Sequence, residues 1–169
     1  MSSQLRVDKI LPVDGAPTGG GGGIIQMVMA ESDTQEDTTS TSYVDSNLSA
    51  TITPKFATSK ILILVMNTVQ QQGNRTRVTL HCSATGGTIH GSSNGLQAYE
   101  GNAINMACNL SYLHSPNTTS AVTYKLQYLN TGGSQSFLQA ATHKGSIILM
   151  EVSAKCQNSE PIELYQEMD

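Results

Sequence analysis

The stretch from residue 47 to residue 66 constrains the fold more than any other part of this sequence. From Leu48 to Thr53 apolar and hydroxyl residues alternate, which is typical of a strand that covers a core with one face. Pro54 ends this strand, because proline cannot donate a hydrogen bond to a ladder. The run from Ile61 to Met66 is apolar without a break, a pattern typical of a strand buried on both faces. We therefore expect another sheet, or another copy of the chain, to cover its second face.

Short alternating segments separated by turn signals fill most of the remaining chain. Gly73-Asn74 predicts a hairpin turn, and no segment longer than three turns has helical periodicity. Further strands are predicted at 24–30, 38–44, 75–84, 106–114, 121–130, 135–140 and 146–152. This number of short strands is typical of a sandwich or a barrel. The sequence predicts an all-β, jelly-roll-like antiparallel β-sandwich.

Composition excludes several classes of function. The 169 residues suffice for one domain, only 13% are charged, and the net charge is −4 without a basic stripe, so we expect no nucleic-acid binding. No apolar stretch approaches the roughly 20 residues that span a bilayer, and no apolar segment follows Arg6 and Lys9 as a signal peptide requires. We expect synthesis in a cytoplasm and no membrane insertion. Cys82 and Cys108 fall on inward phases, so free thiols are expected.

The N-terminal region predicts an attachment peptide. Leu5, Val7 and Ile10 are its apolar positions, and residues 11–23 end in five consecutive glycines, which favour a flexible tether. A segment this short cannot fold alone and needs a partner surface. We place the domain boundary here, with residues 1–23 as peptide and tether and 24–169 as the head.

No constellation of residues indicates catalysis. The glycine run lacks the Gly-Lys-Ser/Thr of a phosphate loop, and the acidic residues Glu100 and Glu151 are too isolated to form a glycosidase pair. The four histidines are not spaced as metal ligands usually are. His81 and His114 lie on predicted strands and could approach each other in space. A second alternative is that three copies of one histidine meet on a threefold axis. We predict a protein that is not an enzyme, with no catalytic residue, no metal site and no cofactor.

The section from Thr85 to Asn105 is the longest irregular one, and long loops in compact domains are often functional. Its polar and aromatic side chains suit sugar recognition through hydrogen bonds and ring stacking. The candidates for such binding are His90, Asn94, Gln97 and Tyr99. The alternative is that this loop packs against a neighbouring subunit.

Four segments resemble small tail-fibre proteins of tailed bacteriophages, notably phages of cyanobacteria and other marine bacteria. The first joins Leu5–Ile10, the glycine tether and the strand Gly23–Val28; the second is Ile52–Ile63, with its Ile-Thr-Pro…Ser-Lys-Ile-Leu pattern. The others are Leu113–Gln127 and the last strand, Ser146–Val152. These motifs mark strands and turns, and no family catalytic residue exists to carry over.

The resemblance implies a virion structural protein with a homotrimeric jelly-roll head, for which Ile61, Ile63 and Val65 are the trimer-core candidates. Its N-terminal segment would dock to other virion proteins. The implied function is that of a short tail fibre or receptor-binding protein that attaches to a host surface glycan or protein. The alternatives are a decoration or cement protein on the capsid and a trimeric binding module of bacterial or host type. The expected location is the virion, at the tail or on the capsid surface.

Overall fold

Ten antiparallel strands form the described part of the chain. The computed structural model describes residues 23–91, 95, 97–102 (their backbone), 105–139 and 143–152, and these contain no helix. The strands are β1 (Ile24–Ser32), β2 (Glu36–Thr38), β3 (Val44–Ile52), β4 (Lys60–Cys82), β5 (Gly87–His90), β6 (Gln97–Asn102), β7 (Met106–His114), β8 (Val122–Asn130), β9 (Ser136–Leu138) and β10 (Gly145–Val152).

The strands pair into two sheets that share β4. Sheet A has the order β1-β10-β4-β7, and sheet B has the order β3-β8-β4, with β5 and β6 on the far side of β4. The short strands β2 and β9 pair with each other, and β9 also pairs with β4. These two orders, with β4 present in each, are those of a jelly roll. The predicted antiparallel jelly-roll sandwich is confirmed.

The strand β4 passes from one sheet into the other. Its first half, Lys60 to Val69, pairs with β10 and β7, whereas Thr76 to Cys82 pairs with β8. Between the halves, Gly73 has a φ of 82°, a conformation that glycine adopts without the strain of a Cβ. The predicted hairpin at Gly73-Asn74 is therefore wrong. Because each half finds its own partners, the chain bends here and does not reverse.

The inward phase predicted for the two cysteines is confirmed. Cys82 and Cys108 are both free and fully buried, as expected of cysteines that act as small apolar side chains. The apolar side chains buried between the two sheets include Leu48, Ile52, Ile61, Ile63, Val78, Leu80, Val122, Tyr124, Leu126, Ile147 and Leu149. One core therefore holds both sheets together.

Two stretches differ from the sequence prediction. Instead of a strand at 38–44, the chain forms the short β2 and starts β3 at Val44. Instead of an irregular section at 85–105, it forms β5 and β6, which both pair with β4. The second half of β4 needs a partner on the side away from β8, since unpaired backbone groups are costly. This tertiary demand overrides the local glycine signals.

A buried carboxylate fixes the end of the sandwich next to Pro54. Glu151 on β10 is fully buried and accepts hydrogen bonds from Gln26 Nε2 at 2.6 Å and from the Lys55 amide at 2.8 Å. Burial acts to raise the pKa of Glu151, but these hydrogen bonds and one from Ser59 outweigh it and lower the pKa below its usual value. The side chain that looked isolated in the sequence thus ties the β3–β4 loop to sheet A.

Candidate functional site

The outer face of sheet A is apolar across most of its width. Four neighbouring strands contribute large apolar side chains to it, and no sheet of the described chain lies over them. We call this surface the apolar face; its members are Met27, Met29, Leu62, Leu64, Met66, Leu113, Ile148 and Met150.

Strand register makes these side chains contiguous. Directly paired residues in neighbouring antiparallel strands point to the same side of a sheet. One row across sheet A reads Met27, Met150, Leu62, Leu113, and the next reads Met29, Ile148, Leu64, Ser111. Four strands spaced about 4.8 Å apart, over about six residues of 3.4 Å each, give a footprint on the order of 400 Å². That is within the range of the largest apolar patch on an ordinary monomer, and such patches are often functional.

The face is open to solvent in the single chain. Met27 is 60% exposed, Met66 49%, Met29 47% and Leu113 43%. Methionine is flexible and polarisable, and it adapts to the shape of a partner surface. The arrangement therefore offers a broad, adaptable apolar surface for a second macromolecule.

The apolar run in β4 is buried on one face only. Its trimer-core candidates Ile61, Ile63 and Val65 are at most 1% exposed and point between the two sheets. These three side chains are already buried in the core of the single chain. The side chains that face outward are Leu62, Leu64 and Met66. A second copy could contact these residues, each of which lies one position after a predicted trimer-core residue.

A shallow depression lies on the apolar face near its β7 edge. Its volume is about 320 Å³, and Leu64, Met66, Asn109 and Ser111 line it. It exists because the outward positions of β7 carry small side chains beside the large ones of β4. The depression has room for one long apolar side chain from a partner.

The outer face of sheet B, which we call the polar face, has the opposite character. Lys125 Nζ lies 2.6 Å from Asp45 Oδ2, and Gln127 Nε2 donates to Asp45 Oδ1 at 2.7 Å. Hydrogen bonds from Lys125 and Gln127 lower the pKa of Asp45. The hydroxyls of Thr51 and Thr123 are 2.8 Å apart. These side chains fulfil one another's hydrogen-bonding capacity, and a polar surface of this kind is suited to contact with water.

His90, a candidate for receptor binding, belongs to a row of rings that closes one side of the sandwich. Its ring stacks on Tyr112, with centroids 4.3 Å apart and planes 13° apart. Tyr112 is followed by His114, whose Nδ1 is 2.9 Å from the hydroxyl of Tyr124. Burial lowers the pKa of both His90 and His114. His90 is half-buried and packs against its own chain.

The structure does not bring the four receptor candidates together as a described site. Asn94 lies outside the described residues, as do Leu5, Val7 and Ile10 of the attachment peptide. The backbones of Gln97 and Tyr99 lie on β6, opposite Val78 and Thr76. The receptor site and the attachment peptide stay predictions.

The positions of the described titratable groups offer no metal centre. No three His, Cys, Asp or Glu side chains among them gather closely enough to hold an ion. His81 lies on the outer side of sheet B, while His114 is buried between the sheets, so these two do not approach each other. The same described residues contain no helix that is long and apolar enough to cross a membrane.

Sequence reasoning missed the methionines of the apolar face. Their signal is three nearly unbroken apolar runs, at 24–30, 61–66 and 147–150. Each run predicts a strand with two apolar faces, and the three strands turn out to be neighbours in sheet A. Considered together, the runs indicate one sheet with an apolar outer face.

Comparisons with known proteins give little beyond the geometry. No family model and no curated protein matches the chain. Two similar solved structures come from viral particles. The structure of the infectious bursal disease virus Gx strain is 14% identical with a TM-score of 0.36, over 78% of this chain and 38% of that one. The VP2 subviral particle of infectious bursal disease virus is 13% identical with a TM-score of 0.36, over 92% and 42%.

The chain thus spans about two fifths of the length of those viral chains. A likeness with a TM-score of 0.36 carries no argument about what this chain does. The jelly-roll assignment rests on the strand pairing itself. The resemblance of the sequence motifs to tail-fibre proteins stays a prediction.

Proposed function

We propose that this chain is a non-enzymatic structural protein of a tailed-bacteriophage virion, a homotrimeric short tail fibre or receptor-binding protein that attaches to the host cell surface. The observation that carries the proposal is the contrast between the polar face and the apolar face. A sandwich with one outer face suited to water and one suited to burial is a subunit of an assembly. The choice of a tailed-phage virion as the assembly comes from the four sequence segments that resemble tail-fibre proteins.

The N-terminal segment attaches the head to other virion proteins in this proposal. The chain enters β1 at Gly23, on an edge of sheet A. If the thirteen residues 11–23 form the flexible tether that their glycines predict, they would span about 20 Å. Leu5, Val7 and Ile10 can therefore engage a surface beside the head while the head turns relative to it.

Host recognition is assigned to the side of the sandwich that carries β5 and β6. This side bears His90 and the backbone of Gln97 and Tyr99, and it adjoins Tyr112. A host glycan or surface protein is the proposed ligand. Substitution Tyr99→Ala is expected to reduce adsorption while particles stay intact, with Thr51→Ala on the polar face as the matched control.

A capsid decoration or cement protein is the second candidate. The observation in its favour is that exposed apolar side chains of the described residues gather on one sheet face. A flat apolar face suits clamping to a shell better than gripping a small ligand, because ligand sites are concave. In that case loss of the protein would make capsids fragile and leave adsorption unchanged.

Gold-tagged antibody against this protein, viewed on particles by negative-stain electron microscopy, separates the two candidates. We expect gold at the tail. Gold over the head contradicts the tail-fibre assignment and supports the cement role. Particles without gold, alongside a labelled positive control, contradict a virion role altogether.

A further inference from the structure

We infer that the loop between β3 and β4, residues 53–59, is a second docking site of the head, with Phe56 as its anchor. Its partner is the virion protein that receives residues 1–10, which would offer Phe56 an apolar pocket with an acidic rim. The inference rests on the proposed function, in which residues 1–10 attach the head to the virion.

Phe56 is an exposed aromatic residue in a chain that contains few aromatic residues. The sequence has two phenylalanines and no tryptophan. Phe137 is 8% exposed, whereas Phe56 is 60% exposed. Single exposed apolar side chains are common on protein surfaces, so exposure alone does not mark a docking site. The way in which the loop is held distinguishes Phe56 from an ordinary surface residue.

A buried carboxylate holds the backbone of the loop at Phe56. Glu151 Oε1 accepts hydrogen bonds from the amide of Lys55 at 2.8 Å and from the amide of Phe56 at 3.3 Å. Gln26 Nε2 donates to Glu151 Oε2 and also to the carbonyl of Thr53, each at 2.6 Å. The loop is therefore connected to both β1 and β10 by hydrogen bonds.

The remaining backbone contacts of the loop complete this support. The carbonyl of Phe56 accepts a hydrogen bond from the amide of Ser59 at 3.0 Å, and Pro54 and Ser59 are buried. Burial of a carboxylate is unfavourable unless hydrogen bonds offset it, and here those hydrogen bonds fix the backbone beneath an exposed ring. An aromatic side chain on a fixed loop loses little entropy on binding, which suits an interface anchor.

Phe56 lies at the end of the sandwich where β1 begins. Ile24 pairs with Val152, and Val152 pairs with Lys60 at the start of β4. Two strand spacings of about 4.8 Å put Ile24 about 10 Å from Lys60, and the loop leads directly into Lys60. A protein that holds residues 1–10 through a tether of about 20 Å would therefore be within reach of Phe56.

A second contact needs little affinity of its own when a tether links it to a first one. A short flexible linker gives the second contact an effective concentration of about 1 mM. One aromatic anchor is then sufficient to fix the orientation of the head on the virion, which the tether alone leaves open.

The charges at this end of the head indicate the chemistry of the partner. The loop carries Lys55 and is followed by Lys60, whereas the acidic side chain beside them, that of Glu151, is buried. This end is thus basic, although the chain as a whole has a net charge of −4. A pocket with an apolar centre and carboxylates at its rim would complement it.

Incorporation into particles tests the inference. A phage without its own copy of the gene is grown on cells that supply the full chain, and mass spectrometry of purified particles measures this protein relative to the major capsid protein. We expect Phe56→Ser to reduce incorporation roughly tenfold, the effect of losing one interface anchor, and Phe56→Leu to retain most of it. Met106→Ser, which removes an exposed apolar side chain at the opposite end of sheet A, is the matched control and should incorporate normally.

A second variant, Val7→Asp in the attachment segment, separates failure of the inference from failure of the proposed function. If the unmodified chain is absent from particles, or if Val7→Asp incorporates normally, the attachment role is wrong and the inference fails with it. If Val7→Asp is lost while Phe56→Ser incorporates as well as the unmodified chain, the attachment role stands and the inference alone is overturned.

The isolated full chain shows whether Phe56 has a different occupant. Because the ring is exposed, Phe56→Ser should leave both the denaturation midpoint and the sedimenting mass unchanged. A lower midpoint would show that the chain itself covers the ring, for example with its acidic segment 158–169. A lower mass would make a second copy the occupant. Either result overturns the inference.

Discussion

The two outer faces of this sandwich are built by the same kind of alternating strand, and in β4 by the same strand, yet they have opposite chemistry. The first half of β4 points Leu62, Leu64 and Met66 outward, and its second half points Arg77 and His81 outward. Most inward side chains of both halves are apolar and buried, with Asn67 and Thr76 as buried polar exceptions. The inward phase of a strand thus indicates where the core is, whereas the outward phase indicates what the surface must meet.

The comparison also separates two ways of stabilising a surface. The polar face has its own partners, such as the ion pair between Lys125 and Asp45. The apolar face has no such contacts within the described chain and gains free energy only when a partner removes it from water. The polar face is thus complete in one copy, whereas the apolar face would be covered only in the proposed assembly.

The largest effect is expected from two adjacent residues of β4 that point to opposite sides. Ile63→Ala should lower the free energy of unfolding of the single chain by about 2–5 kcal/mol, because it leaves a cavity in the core. Leu64→Ala should cost less than half as much there and should instead weaken self-association. Chemical denaturation at low protein concentration and sedimentation at high concentration measure the two quantities. If the two substitutions had equal effects on unfolding and on self-association, the two sides of β4 would not differ in function as we propose.

Glu151→Gln sharpens the comparison from inside sheet A. Replacing the buried carboxylate should lower the free energy of unfolding by about 1.5–3 kcal/mol, because hydrogen bonds to a charged group are lost. Since the folded-state pKa of Glu151 lies below its usual value, its contribution is present above the unfolded-state pKa and is lost as the pH falls through the folded-state pKa. Thermal melts between pH 3 and 7 should show a shallower loss for the variant. If both proteins lose thermal stability equally as the pH falls, groups other than Glu151 cause the acid sensitivity.

His90→Ala tests the side where the two sheets meet. Loss of its stacking on Tyr112 should cost about 0.5–1.5 kcal/mol beyond the buried area. Because burial lowers the pKa of His90 and His114, protonation favours the unfolded chain, and stability should fall as the pH drops below about 6.5. The variant should lose part of this dependence, as measured by denaturation at pH 5 and pH 8. An unchanged stability with reduced adsorption would instead make His90 a receptor contact.

The smallest effect is expected on the polar face. Asp45→Asn removes an exposed ion pair with Lys125 and should cost about 0.2–1 kcal/mol, since solvent and salt screen it. Added salt should reduce the difference between the two proteins. Self-association should stay as in the unmodified chain, and a change in it would place the polar face in the assembly interface.

Most of the sandwich is readable from local pattern. Strict alternation placed Leu48 and Ile52 in the core and predicted β7 and β8 closely, because a period of two has one structural meaning. The bend at Gly73 was misread, since a turn signal does not say whether the chain reverses or crosses to another sheet. The strands β5 and β6 were missed, because their partner is a distant segment of β4.

The candidate site was readable only in part. The apolar run from Ile61 to Met66 predicted a strand whose two faces both need apolar contacts. In the structure one face is buried in the core, and the other, at Leu64 and its neighbours, is exposed. The phase was misassigned, because in an unbroken run nothing local distinguishes the inward side chains from the outward ones. Only the pairing of β4 with β10 and β7 resolves it.

The most direct test of the account is oxidation of the methionines in the intact protein, followed by mass spectrometry. Met27, Met29 and Met66 are about half exposed in one copy and should be covered in the assembly. We predict slow oxidation of all three in the unmodified chain and fast oxidation in Leu64→Glu, which places a charge in the middle of the apolar face. Met106, outside the face and 37% exposed, serves as the internal reference. Equally fast oxidation of the three in both proteins would show that no partner copy covers the face.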